Sequence, residues 1–174
     1  TTSLILGAAS GLGWSLAQAA FQRGHSVILV ARDTQALAEK SAQLSAVDSG
    51  RVRHYALDLT DGPARDHLIG EVVAGGRLDV LINNAGIAVA GPMLTLPIEE
   101  FEHQLDVNVT GVVRVTQAFG PLLGADERLT GEPGRIVMMS SMAGEMGAPF
   151  LGPYSASTPA VAALAKSLRR EMMV

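Results

Sequence analysis

The residues of this 174-residue chain best suited to chemistry begin at Gly7. A short apolar run, Leu4-Ile5-Leu6, leads into Gly7-Ala8-Ala9-Ser10-Gly11-Leu12-Gly13, where a helical pattern opens. Glycines there allow a tight turn and a close approach of backbone to a pyrophosphate. The helix that follows offers unpaired N–H groups and the positive end of its dipole. Gly7, Ala9, Ser10, Gly11, Leu12 and Gly13 are therefore candidate phosphate contacts. The spacing is GxxxGxG rather than GxGxxG, and no GK[ST] follows, which excludes a P-loop nucleotidase. The competing reading is a glycine-rich turn needed only for packing.

A second apolar run, Val27 to Val30, ends in Ala31-Arg32-Asp33, the place where a dinucleotide-binding fold reads the adenosine ribose. An acid there bonds a 2′-hydroxyl, whereas an arginine favours a 2′-phosphate. Arg32 comes first, so NADP(H) is favoured, with NAD(H) as the alternative. Arg32 could equally be solvated and Asp33 a helix cap. After a third run, Asp58 and Leu59 are candidates for contact with adenine, while Thr60 or Asp61 could cap the next helix.

These positions need a scaffold of alternating strands and helices. Strand-like runs at 4–6, 27–30, 52–56, 79–82 and 135–139 alternate with helical patterns at 12–23, 34–44, 63–74, 98–119 and 159–173. Gly24 closes the first helix and Gly120-Pro121 stops the long one, while Gly131, Pro133 and Gly134 mark the loop before the fifth strand. Continuously apolar strands suit a parallel sheet covered on both faces. The expectation is an α/β, doubly wound, parallel-sheet Rossmann fold, with residues 1–174 as a single NAD(P)-binding domain. In such sheets ligands lie beyond the carboxyl ends of the strands, near the point where strand order reverses.

Composition narrows the alternatives. The chain is 48% hydrophobic and 17% charged, with a net charge of -4, so it can build a core and has no basic surface for nucleic acid. Zero cysteines exclude disulfides, thiolate metal sites and a cysteine nucleophile, and fit a cytoplasmic protein. His25, His54, His67 and His103 are scattered without metal-ligand spacing. No run is apolar over the roughly 18 residues a membrane span needs, and the chain opens without a basic leader, so neither a membrane span nor a signal peptide is expected.

A fourth run ends in Asn83-Asn84-Ala85-Gly86, and with it the chain resembles the short-chain dehydrogenase/reductase family. The resemblance runs from Ser3 to the end of the chain. It rests on the glycine turn, Asp58, the NNAG tetrapeptide, Asn108 in VNVTG, the Ser140-Ser141 pair and Tyr154, in the family's order and approximate spacing. It implies that Asn84, Ala85 and Gly86 border the cofactor. It further implies that Tyr154 is the general acid protonating a carbonyl oxygen as hydride reaches its carbon, and the base in reverse. Ser141, thirteen residues earlier, would hold the same oxygen, a service worth roughly 3 to 4 kcal/mol from a well-placed donor. Ser140 would instead satisfy backbone at a strand end, and Asn108 would support a proton-relay water.

The sequence departs from the family pattern at one decisive place. The family reads YxxxK, whereas this chain reads Tyr154-Ser155-Ala156-Ser157-Thr158-Pro159. The family's lysine binds the nicotinamide ribose and favours the tyrosinate by its charge. Thr158 offers the ribose a hydroxyl but no charge, so alcohol oxidation should suffer more than carbonyl reduction. Lys166 lies eight residues further on, about 12 Å along a helix, beyond reach. Pro159 leaves two readings open: a helix kinked at that residue, or one that starts there with Thr158 as its cap. Leu6 stands where the family usually has threonine, and the chain stops at Val174, short of the family's further strands and substrate-covering segment.

Two functions follow. One is an NADP(H)-dependent oxidoreductase interconverting a ketone or aldehyde and an alcohol. Met138, Met139, Met142, Met146 and Phe150 make an apolar substrate plausible, and the run from Glu145 to Phe150 is similar to the steroid- and retinol-handling branch. Methionines beside a strand end also serve as ordinary core. The other is a catalytically impaired dinucleotide-binding sensor or scaffold, motivated by Thr158 and the short carboxyl end. A methyltransferase using S-adenosylmethionine would share the glycine loop but explains neither NNAG nor the Ser141–Tyr154 spacing. The resemblance also implies a homodimer or homotetramer, formed through the long helix and the tyrosine helix.

Overall fold

The computed structural model describes residues 1–75, 78–123 and 133–172, so Gly131, Met173 and Val174 lie outside the described residues. Five strands form one parallel sheet in the order β3-β2-β1-β4-β5: β1 (Thr2–Leu6), β2 (Ser26–Ala31), β3 (Val52–Ala56), β4 (Val80–Asn83) and β5 (Arg135–Met138). The order reverses between β1 and β4, which pair in parallel with Leu6 opposite Asn83. The segments that leave these two strands, Gly7 onward and Asn84 onward, therefore start side by side at the switch point of a doubly wound sheet.

The chain divides into two compact units. The first comprises Thr1–Ala85 and Val115–Val137. Strands β1, β2 and β4 are buried on both faces, which is why they read as unbroken apolar runs, whereas β3 at the sheet edge is partly exposed and carries Arg53 and His54. Leu4, Leu6, Ile28, Val30 and Leu81 join Leu68, Val72, Val115 and Phe119 in one core. Ile5, Val27, Leu29 and Ile82 join Ala17, Phe21, Leu37 and Leu44 in the other. Helices α1 (Gly11–Gln22) and α2 (Thr34–Asp48) thus supply the cover of the second core, and α3 (Gly62–Ala74) contributes to the first. Each fully buried Leu or Ile contributes roughly 1.5 to 3 kcal/mol. Asp33 and Asp61 cap α2 and α3 by accepting from Ala36 N at 2.9 Å and Ala64 N at 3.0 Å.

The second unit comprises Gly86–Arg114 and Met138–Val174. The single helix expected over 98–119 is instead three segments: α4 (Ile98–Leu105), a wider π-type turn over Asp106–Thr110, and α5 (Gly111–Phe119). The widened turn coincides with Asn108, whose side chain is committed to backbone outside the helix, and with a β-branched neighbourhood of Val107, Val109 and Thr110 that crowds a regular helix. A short helix absent from the sequence reading, α6 (Ala143–Met146), packs on α7 (Gly152–Glu171). Helix α7 starts with Pro153 in its first turn and runs on through Pro159, so Tyr154 is helical and the late-start reading fails. Among the described residues no helix is long and apolar enough to cross a membrane, and no three His, Asp or Glu side chains gather as metal ligands.

Candidate active site

In the first unit the glycine turn is built by close contact. Gly7 has φ +74°, a backbone state that favours glycine, and its N–H donates to Val30 O at 2.8 Å. A methyl group at Gly13 would collide with Gly7 O and stand 2.6 Å from Asn84 Nδ2. Asn84 Nδ2 itself makes a long bond of 3.4 Å to Gly7 O, so the segment after β4 braces the turn after β1. Ser10 leads into α1 without capping it, and the first turn carries no acid. The leading N–H groups of α1 therefore have no side-chain cap, the condition a pyrophosphate would require.

The other first-unit candidates divide. Arg32 is exposed and makes no hydrogen bond or ion pair through its side chain among the described residues, whereas Asp33 is occupied as the cap of α2. Asp58 Oδ1 accepts from Thr60 N at 2.9 Å and Thr60 Oγ1 at 2.7 Å, closing a turn after β3. Leu59 is core, and Arg65 donates to its carbonyl at 3.2 Å. Asn83, buried at the end of β4, donates to Thr116 Oγ1 at 3.2 Å while its Oδ1 has no partner.

In the second unit Asn108 is linked through Ser157 to the Tyr154 backbone and Ser140 to the Thr158 backbone, while Ser141 bonds only to Ala143 N. Asn108 Oδ1 accepts from Ile87 N at 2.9 Å; its Nδ2 donates to Ile87 O at 2.9 Å and to Ser157 Oγ at 3.1 Å. Both amide hydrogens are therefore used by protein groups. Ser157 Oγ donates in turn to Tyr154 O at 2.9 Å. Ser140 Oγ donates to Thr158 O at 2.8 Å, the backbone role read for it from sequence. Three hydroxyls, on Ser140, Ser155 and Ser157, thus tie the first turns of α7, since Ser155 Oγ also accepts from Ala148 N at 3.2 Å.

The hydroxyls of Tyr154, Ser141, Ser155 and Thr158 donate to no acceptor among the described residues. Tyr154 is half-buried and its phenol makes no hydrogen bond among the described residues. Ser141 Oγ only accepts, from Ala143 N at 3.2 Å. Thr158 Oγ1 neither donates nor accepts: the residue is 6% exposed, and the oxygen lies 2.5 Å from where a Cβ on Gly144 would sit. Pro159 Cδ is 2.6 Å from the same point, so Gly144 is the space into which the Thr158-Pro159 turn fits.

Sequence reasoning missed Gln104, Ser157 and Gly144. Gln104 is fully buried; its Oε1 accepts from Val89 N at 2.6 Å and its Nε2 donates to Ile87 O at 2.9 Å. With Asn108 it forms a clamp of two amides on the backbone of Ile87 and Val89. The i, i+4 spacing of Gln104 to Asn108, the asparagine within VNVTG, was the available signal.

The sequence model of the short chain dehydrogenase family matches residues 1–174. An NADPH-dependent 3-dehydrocapnine reductase of Ornithobacterium rhinotracheale is 36% identical over 175 residues, covering 99% of this chain. A 3-ketodihydrosphingosine reductase of Bacteroides thetaiotaomicron is 33% identical over 170 residues, covering 97% of this chain. The chain spans 60% and 57% of the lengths of these two relatives. The crystal structure of an actinorhodin polyketide ketoreductase with NADPH superposes with a TM-score of 0.89 at 33% identity, covering 98% of this chain and 64% of that one. With the family model matched from end to end and relatives at this identity, the chain belongs to the short-chain dehydrogenases, a family of oxidoreductases.

Proposed function

We propose that the chain carries the catalytic portion of an NADP(H)-dependent carbonyl reductase acting on an apolar ketone. The observation that carries the reading is the pair of hydroxyls that donate to no protein group, Ser141 O–H and Tyr154 O–H, beside Ser140 and Ser157, which both donate to the backbone of α7, and Asn108, whose amide is fully used. Gly7, Ala9, Ser10, Gly11, Leu12, Gly13, Asn84, Ala85 and Gly86 would receive the cofactor, and the open start of α1 fits its pyrophosphate. Exposed Arg32 fits a 2′-phosphate. NADPH, when bound, supplies the hydride.

Ser141 donates to the carbonyl oxygen and stabilises the alkoxide that develops there. Tyr154 transfers its phenolic proton to that oxygen, completing the alcohol. Asn108 acts through Ser157 and holds the Tyr154 turn. Met142, Met146 and Phe150 are exposed rather than core, which favours the apolar-substrate reading over ordinary packing for these three.

The second reading, a cofactor-binding sensor or scaffold, is favoured by Thr158, whose buried hydroxyl faces Gly144 and brings no charge. Fluorescence titration with NADPH and NADH, followed by the rate of NADPH consumption with a ketone, separates the two. The reductase reading expects saturable binding with NADPH preferred, and turnover that Tyr154→Phe abolishes; tight binding with no turnover on any ketone favours the sensor.

A further inference from the structure

Phe150 is the sole non-glycine residue among those described with a left-handed backbone, at φ +61°. That state is unfavourable for any residue with a Cβ and uncommon for a bulky one, and it persists only where the surroundings over-determine it. Here they do. Phe150 O accepts from Gly91 N at 2.8 Å, Leu151 N donates to Ala148 O at 3.2 Å, Ala148 N donates to Ser155 Oγ at 3.2 Å, and Ser155 N donates to Leu151 O at 2.8 Å. The ring gains no burial in return: Phe150 is 65% exposed.

The same strained link joins two apolar segments. The Gly91–Phe150 bond brings in the loop that carries Met93 and Leu94, which are 56% and 98% exposed. Met93 Sδ lies 2.6 Å from where a Cβ on Gly152 would sit, so this loop also abuts the start of α7. No charged residue occurs over 86–97 or 147–165. A bulky ring strained, pinned and presented to water, four residues before Tyr154, has a use other than folding.

We infer that Phe150 is a specificity-determining residue whose ring lies against the hydrocarbon part of the carbonyl substrate, selecting ketones with an extended apolar group over small ones. This rests on the reductase reading. The occupant is the substrate's hydrocarbon because the turn from Ala148 to Leu151 that carries Phe150 is tied through Ala148 N to Ser155 Oγ, and through Ser155 N to Leu151 O, so that it is joined to the proton donor's own turn of helix.

The test compares wild type with Phe150→Gly and Phe150→Tyr, using 2-decanone and 2-butanone as probes. Equilibrium dialysis measures binding and NADPH consumption measures turnover. Glycine removes the strain, so the expected melting temperature rises while the dissociation constant for 2-decanone increases roughly tenfold and 2-butanone is unaffected. Phe150→Tyr, which keeps the ring, retains wild-type discrimination. The inference is overturned if wild type does not retain 2-decanone, if Phe150→Gly retains it equally well, or if the glycine variant alters only self-association in sedimentation, which would make a second copy the occupant. Binding discrimination without turnover of either ketone would count against the reductase reading and leave the role of Phe150 standing.

Discussion

Asn108 and Ser157 are joined by a hydrogen bond of 3.1 Å from amide to hydroxyl, and Ser157 passes its own hydrogen to Tyr154 O at 2.9 Å. Both residues are buried, so the pair fixes the turn that carries the phenol without touching the phenol itself. Ser157→Ala leaves one Asn108 N–H without an acceptor, a loss of about 1 to 3 kcal/mol in unfolding free energy by urea titration. Under the proposed mechanism kcat falls while KM for NADPH holds. An equal change in both constants would show that Ser157 serves the fold alone.

Arg32 offers a second prediction, on cofactor choice. Its guanidinium is exposed and has no partner among the described residues, and a bond from it to a 2′-phosphate would be charge-assisted, worth about 1.5 to 3 kcal/mol. Arg32→Ala should weaken NADPH binding by roughly ten- to a hundredfold and leave NADH nearly untouched, since NADH has no 2′-phosphate to lose. Parallel fluorescence titrations read the ratio; equal weakening for both cofactors would assign Arg32 to general electrostatics.

Much of this was legible beforehand because each sign was local. The turn at Gly7 to Gly13 and the five apolar strands depend on neighbours in sequence, and the caps at Asp33 and Asp61 sit one residue before their helices. The missed features depend on distant partners. The π-type turn at Asp106–Thr110 coincides with two amides reaching backbone at Ile87 and Val89, about twenty residues away in sequence. Pro159 leaves a kinked helix and a late start equally open in sequence, and the helix passes through it with Gly144 leaving room for the ring from fifteen residues upstream. Nothing in a window around Pro159 announces Gly144.

Asp48 gives a pH prediction whose sign can be worked out. Its carboxylate accepts from Arg51 Nε at 2.8 Å and from Gly50 N at 3.1 Å, and the Arg51 hydrogen bond is the main reason its pKa lies below the usual aspartate value. A depressed folded pKa stabilises above the unfolded value, about 3.9, and the contribution disappears as pH falls through the folded pKa. Asp48→Asn should therefore differ from wild type in urea unfolding near pH 6 by a small amount, because the pair is exposed, and the gap should close as the pH is lowered below about 4. A gap that widened on acidification would contradict the sign. Arg51 retains its other contacts in the variant, to Phe21 O and His25 O at 3.1 Å and over the Phe21 ring at 4.0 Å.

Under the proposed mechanism, the neutral Thr158 favours carbonyl reduction over alcohol oxidation. In that mechanism reduction takes a proton from Tyr154, whereas oxidation returns one to it, a step that a cation within about 4 to 6 Å would favour. Thr158→Lys should therefore raise alcohol oxidation by roughly tenfold or more, and carbonyl reduction by less. The substitution also removes a hydroxyl that is buried without a partner, so the loss of Oγ1 breaks no hydrogen bond. The Ser140 bond to Thr158 O survives, because it is made to backbone. The forward and reverse rates of wild type and Thr158→Lys, with NADPH binding measured alongside, carry the test. A larger gain in oxidation supports a reductase weakened in one direction; no gain in either, with cofactor binding intact, identifies the cofactor-binding sensor.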